Sequence, residues 1–435
     1  MYYNAKIETL PREELEQLQI ERLQSTLNRV YRNVAFYKGF FDTQKIDIGK
    51  IKRVSDLQAF PFTTKEDLNK SYPYDMFAVP LKDIVRIHTS SGTTGRPIVV
   101  GYTKNDIRHW SELVARLLFA GGITEHDLVM VAFNYSLFTG GLGFHYGAEL
   151  IGASVVPASE SSDIRRQIQV MKDYKTTALV STPNYALKLI HGMKEMGMHP
   201  EELFLKNGLF GAEPWSEKVR GRIEEDLRIT AYDNYGISEV MGPGISGECV
   251  HKNGLHISED HFLVEVIDPA TLKNLPAGSE GELVITTLAK EGFPLIRYRT
   301  GDRASLLEGG CACGRTLARM SRVSGRTDDV IIIRGVKLTP ARIEEVLFEV
   351  EKVTPRYQVV IDQKNGIDEM EIKVEISDKM PFFDEVKRLE HLKADISKHI
   401  HKELSLTAKI TFVEPDSLKT EPGKKGGRVK DLRKE

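Results

Sequence analysis

Cysteine is scarce in this chain: Cys249, Cys311 and Cys313 are the only three in 435 residues. So few, and an odd number, exclude a disulfide framework and point to a reducing compartment. An excess of charge of one sign is also missing. Sixty Lys and Arg are balanced by 62 Asp and Glu, giving a formal net charge of -2 without the basic surplus of a nucleic-acid binder. No stretch reaches the roughly 18 uninterrupted apolar residues of a membrane span. The N-terminal MYYNAKIETLPREELEQL lacks an apolar core, so no signal peptide is expected. Internal repeats and low-complexity tracts are absent. What is present is ordinary for a globular protein, 41% hydrophobic and 28% charged residues, which excludes wholesale disorder. The length has room for two or three domains. The expectation is a cytoplasmic protein that meets neither nucleic acid nor membrane.

The chain opens with a helix signal. Pro11 suits a first helical position, and Glu13 and Glu14 suit the positive end of the dipole. Ile20, Leu23, Leu27, Val30 and Val34 then recur at helical spacing along one face. From about 81 to 320 short apolar runs, LVMVAF (128–133) and ALVS (178–181), alternate with amphipathic stretches such as IRRQIQVMKDY (164–174). That alternation predicts a layered α/β domain with mostly parallel strands. HFLVEVID (261–268) and GELVITTL (281–288) read as paired strands of a β-rich subdomain.

The last hundred residues or so follow a different order. DVIII (329–333) reads as a strand, Thr339-Pro340 as cap and first residue of a helix, and Ile343, Val346, Leu347 and Val350 as its apolar face. YQVVI (357–361), the Asn365-Gly366 turn and the alternating Met370, Ile372, Val374 and Ile376 predict a hairpin. A helix carrying Val386, Leu389, Ile396 and Ile400 follows, then KITFVE (409–414). The order β-α-β-β-α-β is the split-βαβ pattern. The boundary is expected near Gly325-Arg326, dividing 1–325 from 326–435.

Four segments could carry chemistry. His88-Thr89-Ser90-Ser91-Gly92-Thr93-Thr94-Gly95-Arg96-Pro97 is rich in hydroxyls and glycines. Such a loop can turn its N–H groups onto phosphate oxygens, although composition alone also admits a surface turn. It is not a P-loop: the glycine spacing is wrong and no Lys-Ser/Thr pair follows. In Tyr232-Asp233-Asn234-Tyr235-Gly236-Ile237-Ser238-Glu239 a tyrosine can offer a flat face to a purine and a carboxylate can hold Mg²⁺. In Arg297-Tyr298-Arg299-Thr300-Gly301-Asp302 an aspartate can accept both hydroxyls of a ribose. Gly325-Arg326-Thr327-Asp328-Asp329 followed by Ile331-Ile332-Ile333-Arg334-Gly335 reads alone as a charged linker and a strand.

In this fixed order the four resemble the motifs of the adenylate-forming enzymes: acyl-CoA synthetases, adenylation domains and luciferases. SSGTTGRP is similar to their phosphate loop, YGISE to their adenine and Mg²⁺ motif, YRTGD to their ribose motif and GRTDDVIIIRG to their interdomain hinge. Within that superfamily FPFTTKEDL, FAVPLKDIVRIHTSSGTTG, FNYSLFTGGLGFHYGAELIGA and YGISEVMGPGI resemble the phenylacetate–CoA ligases, and the likeness spans nearly the whole chain. The resemblance implies a large adenylate-forming domain of layered α/β sheets and a small mobile split-βαβ domain. It implies ATP-dependent activation of an aryl-acetic acid and its transfer to coenzyme A, in a homodimer. The rivals are an adenylating enzyme that loads a carrier-protein thiol and a non-catalytic nucleotide or acid sensor. SESSD (159–163) replaces a region that is glycine-rich in the family, which leaves the acid itself open.

The same resemblance implies residue roles. Ser90, Ser91, Gly92, Thr93, Thr94 and Gly95 cradle phosphates. Arg96 stands where the family usually has lysine, offering a planar fork in place of a point charge. Gly211, Ala212, Glu213, Asp233, Asn234, Tyr235, Gly236 and Ser238 line the nucleotide, with Tyr235 stacked on adenine. Glu239 ligates Mg²⁺, and Asp302, with Arg326, holds the ribose. Tyr135, Phe138, Gly140, Gly141, Ile237, Met241, Gly242 and Pro243 line the acid pocket. Asp328 is the hinge, and Arg334 and Gly335 adjoin the CoA tunnel. The tail Thr420-Glu421-Pro422-Gly423-Lys424-Lys425-Gly426-Gly427-Arg428 resembles the mobile lysine loop. The Gly-Lys pairing favours Lys424, whereas counting back from Arg428-Val429 favours Lys425.

The three cysteines form a set of their own. Cys311 and Cys313 flank Ala312 just after the Gly309-Gly310 turn, and Cys249 precedes Gly254-Leu255-His256. Three thiols and one imidazole suit a closed structural Zn²⁺ site, and the resemblance implies zinc there. His251 is the rival to His256, and idle cysteines are the plain alternative.

Overall fold

The computed structural model describes residues 1–90, 97–161, 163–327, 331–333, 336–338, 340–348, 357–364, 367–375, 386–404, 406–414, 417–418 and 429–434. The chain divides into two compact units. One comprises Met1–Pro214 with Val219–Ser324, the other Trp215–Lys218 with Gly325–Glu435.

In the larger unit the first long helix runs Arg12–Asn33, one residue later than expected, with Pro11 at the cap position and not the first helical one. Leu15, Ile20, Leu23, Leu27 and Val30 bury its apolar face. Strands β1 (Ile84–Thr89) and β2 (Val99–Thr103) pair as an antiparallel ribbon. Thr103 and Asp106 then form a capping box that starts the helix Lys104–Ala120.

Among the described residues the main sheet has nine strands. Its first half comprises β3 (Leu128–Val131), β4 (Ser154–Pro157), β5 (Ala178–Ser181), β6 (Asn207–Gly211) and β7 (Thr230–Ile237), all parallel, in spatial order β4-β3-β5-β6-β7. Helices Thr139–Leu150, Ile164–Asp173 and Pro183–Met196 make the crossovers that parallel pairing requires. Strand β5 is buried along its whole length, as a sheet covered on both faces demands. Thr182 caps the helix that Pro183 opens, and Gly197 closes it at φ +67.

After β7 the chain reverses. β8 (Gly242–Glu248) and β9 (Leu255–Ile257) continue the sheet antiparallel. β10 (Phe262–Ile267), β11 (Gly281–Thr287) and β12 (Tyr298–Ala304) form the separate β-rich layer, with Phe262 opposite Thr287. β13 (Leu306–Leu307) and β14 (Arg319–Met320) return to the main sheet beside β9. A buried ionic network joins the long helices to the turn before β10. Arg116 donates to both oxygens of Asp260 at 2.9 and 3.1 Å and to Glu112 at 2.6 Å, and Arg22 donates to the Asp260 carbonyl.

The smaller unit has its own core, in which Ile343, Val346 and Leu347 join Val359, Ile372, Ile396 and Ile400. The helix begins at Pro340 as expected, while Thr339, Val350, Asn365, Gly366 and Ile376 lie outside the described residues. Tyr357–Lys364 and Ile367–Glu375 pair antiparallel, and Ala408–Val413 lies parallel to the latter. The fourth strand differs from the expected pattern. Ile331–Ile333 pairs with Val336–Leu338 in a separate hairpin, and Val429–Asp431 takes the sheet edge, parallel to Tyr357–Lys364. A short hairpin satisfies both of its strands locally, which leaves the sheet edge to a segment from the end of the chain.

Candidate active site

Parallel strands end on the same edge, so the loops after β3, β5, β6 and β7 gather there, together with the N-termini of the crossover helices. Such carboxyl edges are where open α/β sheets bind ligands. Gly211–Glu213 after β6 and Tyr235–Glu239 at the end of β7 fall on this edge. Gly211 ends β6 so close to β7 that a Cβ would lie 2.5 Å from the Asn234 carbonyl. Ala212 follows at φ +69. Glu213 accepts from the Asn184 backbone N–H at 2.9 Å and from its side chain at 2.8 Å, tying the loop to the helix Pro183–Met196.

On β7 the side chains divide their work. The Asn234 amide donates to the Phe210 carbonyl at 2.8 Å, and Asp233 accepts from Arg322 at 2.6 Å. Tyr235 donates its hydroxyl to Asp302 of β12 at 2.8 Å, so the second and third motifs meet in a buried contact. At Gly236 a Cβ would sit 2.1 Å from the Gly242 carbonyl, so only glycine permits this approach of β7 and β8. Glu239 comes just after the strand, half-buried, and among the described residues no hydrogen bond or ion pair engages its carboxylate.

The expected acid-pocket residues come together as two adjoining segments. Phe138 caps the helix Thr139–Leu150, which holds Gly140 and Gly141 in its first turn. A Cβ at Gly140 would lie 2.9 Å from the Phe138 ring, and one at Gly141 2.7 Å from the Asn134 carbonyl. Tyr135 shares a 3.2 Å hydrogen bond with His145, and burial pushes its hydroxyl pKa above the usual range. Facing them are Ile237 at the end of β7, buried Met241, and Gly242 and Pro243 at the start of β8. Thr139 and Ser238 join the segments through a 3.0 Å hydroxyl pair.

Ser90 is buried at the end of β1, and its hydroxyl accepts from the Ile98 N–H at 3.1 Å. Ser91, Gly92, Thr93, Thr94, Gly95, Arg96, Asp328, Arg334, Gly335, Lys424 and Lys425 lie outside the described residues. Arg326 belongs to the smaller unit.

Sequence reasoning missed a cluster behind these two segments. Tyr102 and Trp110 stack at 5.1 Å, and His88 meets both rings edge-on. The His88 Nδ1–H donates to the Leu137 carbonyl at 3.1 Å, and burial pushes this imidazole down to about 4. Lys290 is fully buried with its ammonium 3.3 Å from the Tyr102 ring centre. Tyrosine and tryptophan read as core in any sequence, and a lone lysine reads as surface, so no local signal marks the group.

The cysteines converge as expected. The ligand atoms of Cys249, His256, Cys311 and Cys313 all lie within 4.8 Å of one another. Cys249 and Cys311 sulfurs are 3.7 Å apart, and Cys313 sulfur is 3.4 Å from His256 Nε2. Tetrahedral zinc with Zn–S bonds near 2.3 Å separates its sulfurs by about 3.8 Å. Three thiols and an imidazole therefore fit this ion, and His251, the rival, is not in the cluster.

Residues 17–288 match the AMP-binding enzyme family, and residues 335–433 match the AMP-binding enzyme C-terminal domain. The phenylacetate-coenzyme A ligase of Thermus thermophilus is 44% identical over 448 residues, covering 100% of both chains. That of Escherichia coli is 43% identical over 98% of this chain and 97% of its own. A 2-hydroxyisobutyryl-CoA ligase, solved in its postadenylation state with 2-HIB-AMP, superposes with a TM-score of 0.89 at 28% identity, covering 99% of this chain and 92% of its own. With two motifs meeting at Tyr235 and Asp302 on the edge of such a fold, this chain belongs to the AMP-binding enzymes, in the family of the phenylacetate–coenzyme A ligases.

Proposed function

We propose that the chain ligates an aryl-acetic acid, phenylacetate above all, to coenzyme A at the expense of ATP. In the first half-reaction a carboxylate oxygen attacks the α-phosphorus. The bond from that phosphorus to the β-phosphate bridge breaks, and pyrophosphate leaves. In the second, the CoA thiol loses its proton and attacks the acyl carbon, and AMP departs. Positioning and charge neutralisation dominate such chemistry.

The observation that carries this reading is Glu239. It is a half-buried carboxylate without a partner among the described residues, directly after the Tyr235–Asp302 pair on the carboxyl edge. A hard oxygen ligand in that place fits Mg²⁺, which when bound neutralises phosphate charge. Tyr235 would stack on adenine, Asp302 would hold the ribose with Arg326, and Ser90 to Arg96 would cradle the phosphates. Gly211, Ala212, Glu213, Asp233, Asn234, Gly236 and Ser238 would shape the nucleotide's seat. The Tyr135–Gly141 and Ile237–Pro243 segments would enclose the aryl ring. Residues 1–325 would bind ATP and acid. Residues 326–435 would turn about Asp328, supply Lys424 or Lys425, and line the pantetheine path near Arg334 and Gly335. Cys249, His256, Cys311 and Cys313 would hold a structural zinc. The enzyme would work in the cytoplasm as a homodimer.

A panel of aryl acids assayed for AMP and acyl-CoA tests this. Phenylacetate is expected to give both, and Glu239→Gln to lower kcat roughly 100-fold with the acid KM little changed. Acid-dependent pyrophosphate release without consumption of free CoA would point to a carrier-protein thiol. Failure of every acid to release AMP would sink the ligase reading.

A further inference from the structure

Lys290 is 1% exposed, and no carboxylate pairs with it among the described residues. Asp106, whose charge favours the protonated amine, is already engaged by the backbone N–H groups of Thr103, Glu291 and Gly292 at 2.9, 2.7 and 2.9 Å. The ammonium instead meets the Tyr102 ring at 3.3 Å and the Met241 sulfur at 3.6 Å. Burial pushes it down to about 7. A methionine would fill the same space without desolvating a charge, so this amine is a liability to stability.

Its contacts all lead to one place. Tyr102, beneath the amine, donates its hydroxyl to the Met241 carbonyl at 2.9 Å. Trp110, stacked on Tyr102, donates its indole N–H to the Pro243 carbonyl at 2.9 Å. A desolvated cation over an aromatic face is held strongly and in one geometry. The stack therefore grips two carbonyls and one sulfur of the segment expected to wall the acid pocket.

We propose that Lys290 is a positioning residue for the acid pocket: through Tyr102 and Trp110 it holds the Met241–Pro243 wall in the shape that accepts a flat aryl acid. This rests on the ligase reading above.

The test uses the full chain as wild type, Lys290→Met and Tyr102→Phe. It measures the thermal midpoint, kcat, and KM for phenylacetate, ATP and CoA. Lys290→Met is expected to keep or raise the midpoint while raising the phenylacetate KM about tenfold, with the ATP and CoA KM values within about twofold. Tyr102→Phe keeps the ring under the amine but drops the bond to Met241, and a rise of about threefold in the acid KM is expected. A purely structural lysine would instead lower the midpoint and leave the three KM values alone, which overturns the proposal. So would equal shifts in all three. If Lys290→Met fails to fold, Tyr102→Phe decides. A wild type that activates no aryl acid removes the ligase reading and this one together, whereas an active wild type with unmoved variants removes only this one.

Discussion

Two polar clusters in the larger unit are built on opposite principles. The network of Arg116, Asp260, Glu112 and Arg22 closes on itself, cation to anion, with contacts of 2.6 to 3.1 Å from Arg116 alone. The quartet of Cys249, His256, Cys311 and Cys313 turns four ligand atoms toward one another, with the Arg315 guanidinium set against Cys313. The first pairs its charges with the chain's own atoms and fastens helices Arg12–Asn33 and Lys104–Ala120 to the turn before β10. The second has the ligand types of a zinc site and would be completed by an ion from outside. A cluster that pairs its own charges reads as architecture, and one that gathers metal-ligand atoms reads as a candidate site. Glu239 belongs with the second kind, and Lys290, satisfied only by a ring and a sulfur, stands between them.

Removing any zinc the quartet holds would break the comparison most sharply. Protein purified without chelator is expected to carry one zinc per chain. Its removal should forfeit binding energy on the order of 10 kcal/mol, read as a large fall in thermal midpoint that added zinc restores. A metal-free preparation with an unchanged midpoint would show that the quartet, too, stands alone.

The closed network should be more brittle to single changes than its lack of a ligand implies. Asp260→Asn removes one of the two carboxylates that pair with buried Arg116, leaving Glu112 alone, and is expected to destabilise by about 3 kcal/mol in a denaturant melt. Chelator should have no further effect beyond that seen in wild type, since the clusters share no residue. A loss below about 1 kcal/mol would mean that water reaches the network.

A smaller effect is pH dependence at the network's edge. His261 is buried beside Asp260 at 3.4 Å, and desolvation pushes its imidazole from the usual 6.5 down to about 3. The unfolded chain therefore takes up this proton first. Stability from the neutral ring is whole above pH 6.5 and is lost as pH falls toward 3. Between pH 6.5 and pH 5 the loss is about 2 kcal/mol. His261→Gln is expected to flatten the melting-temperature profile over that interval. An unchanged slope would assign the acid limb to other groups, Asp260 among them, whose carboxyl is held low by its cationic neighbours against the effect of burial.

Much of the fold was legible because burial on both faces of a sheet leaves a strong mark. ALVS is a strand at the residues expected, and HFLVEVID and GELVITTL pair after losing one or two end residues. IRRQIQVMKDY forms its helix over Ile164–Asp173. The edge strand Val429–Asp431 was not legible, because three residues beside a basic tail carry no period of their own and acquire strand character from their neighbour. Among the site residues, glycines and acids announced themselves through motif order. The stack of Tyr102, Trp110 and Lys290 did not, since no spacing rule links residues so far apart in the chain.

By itself the sequence determined the family, the order of the nucleotide motifs and the makeup of a four-ligand set, all properties of residue identity and short spacing. Tertiary structure alone decided which histidine joins the three cysteines, His256 and not His251. It also decided that Tyr235 meets Asp302 across two sheets, and that a lysine lies in the core. Register and crossover bring distant segments into contact, and desolvation then sets which of their groups are satisfied and which still require a partner.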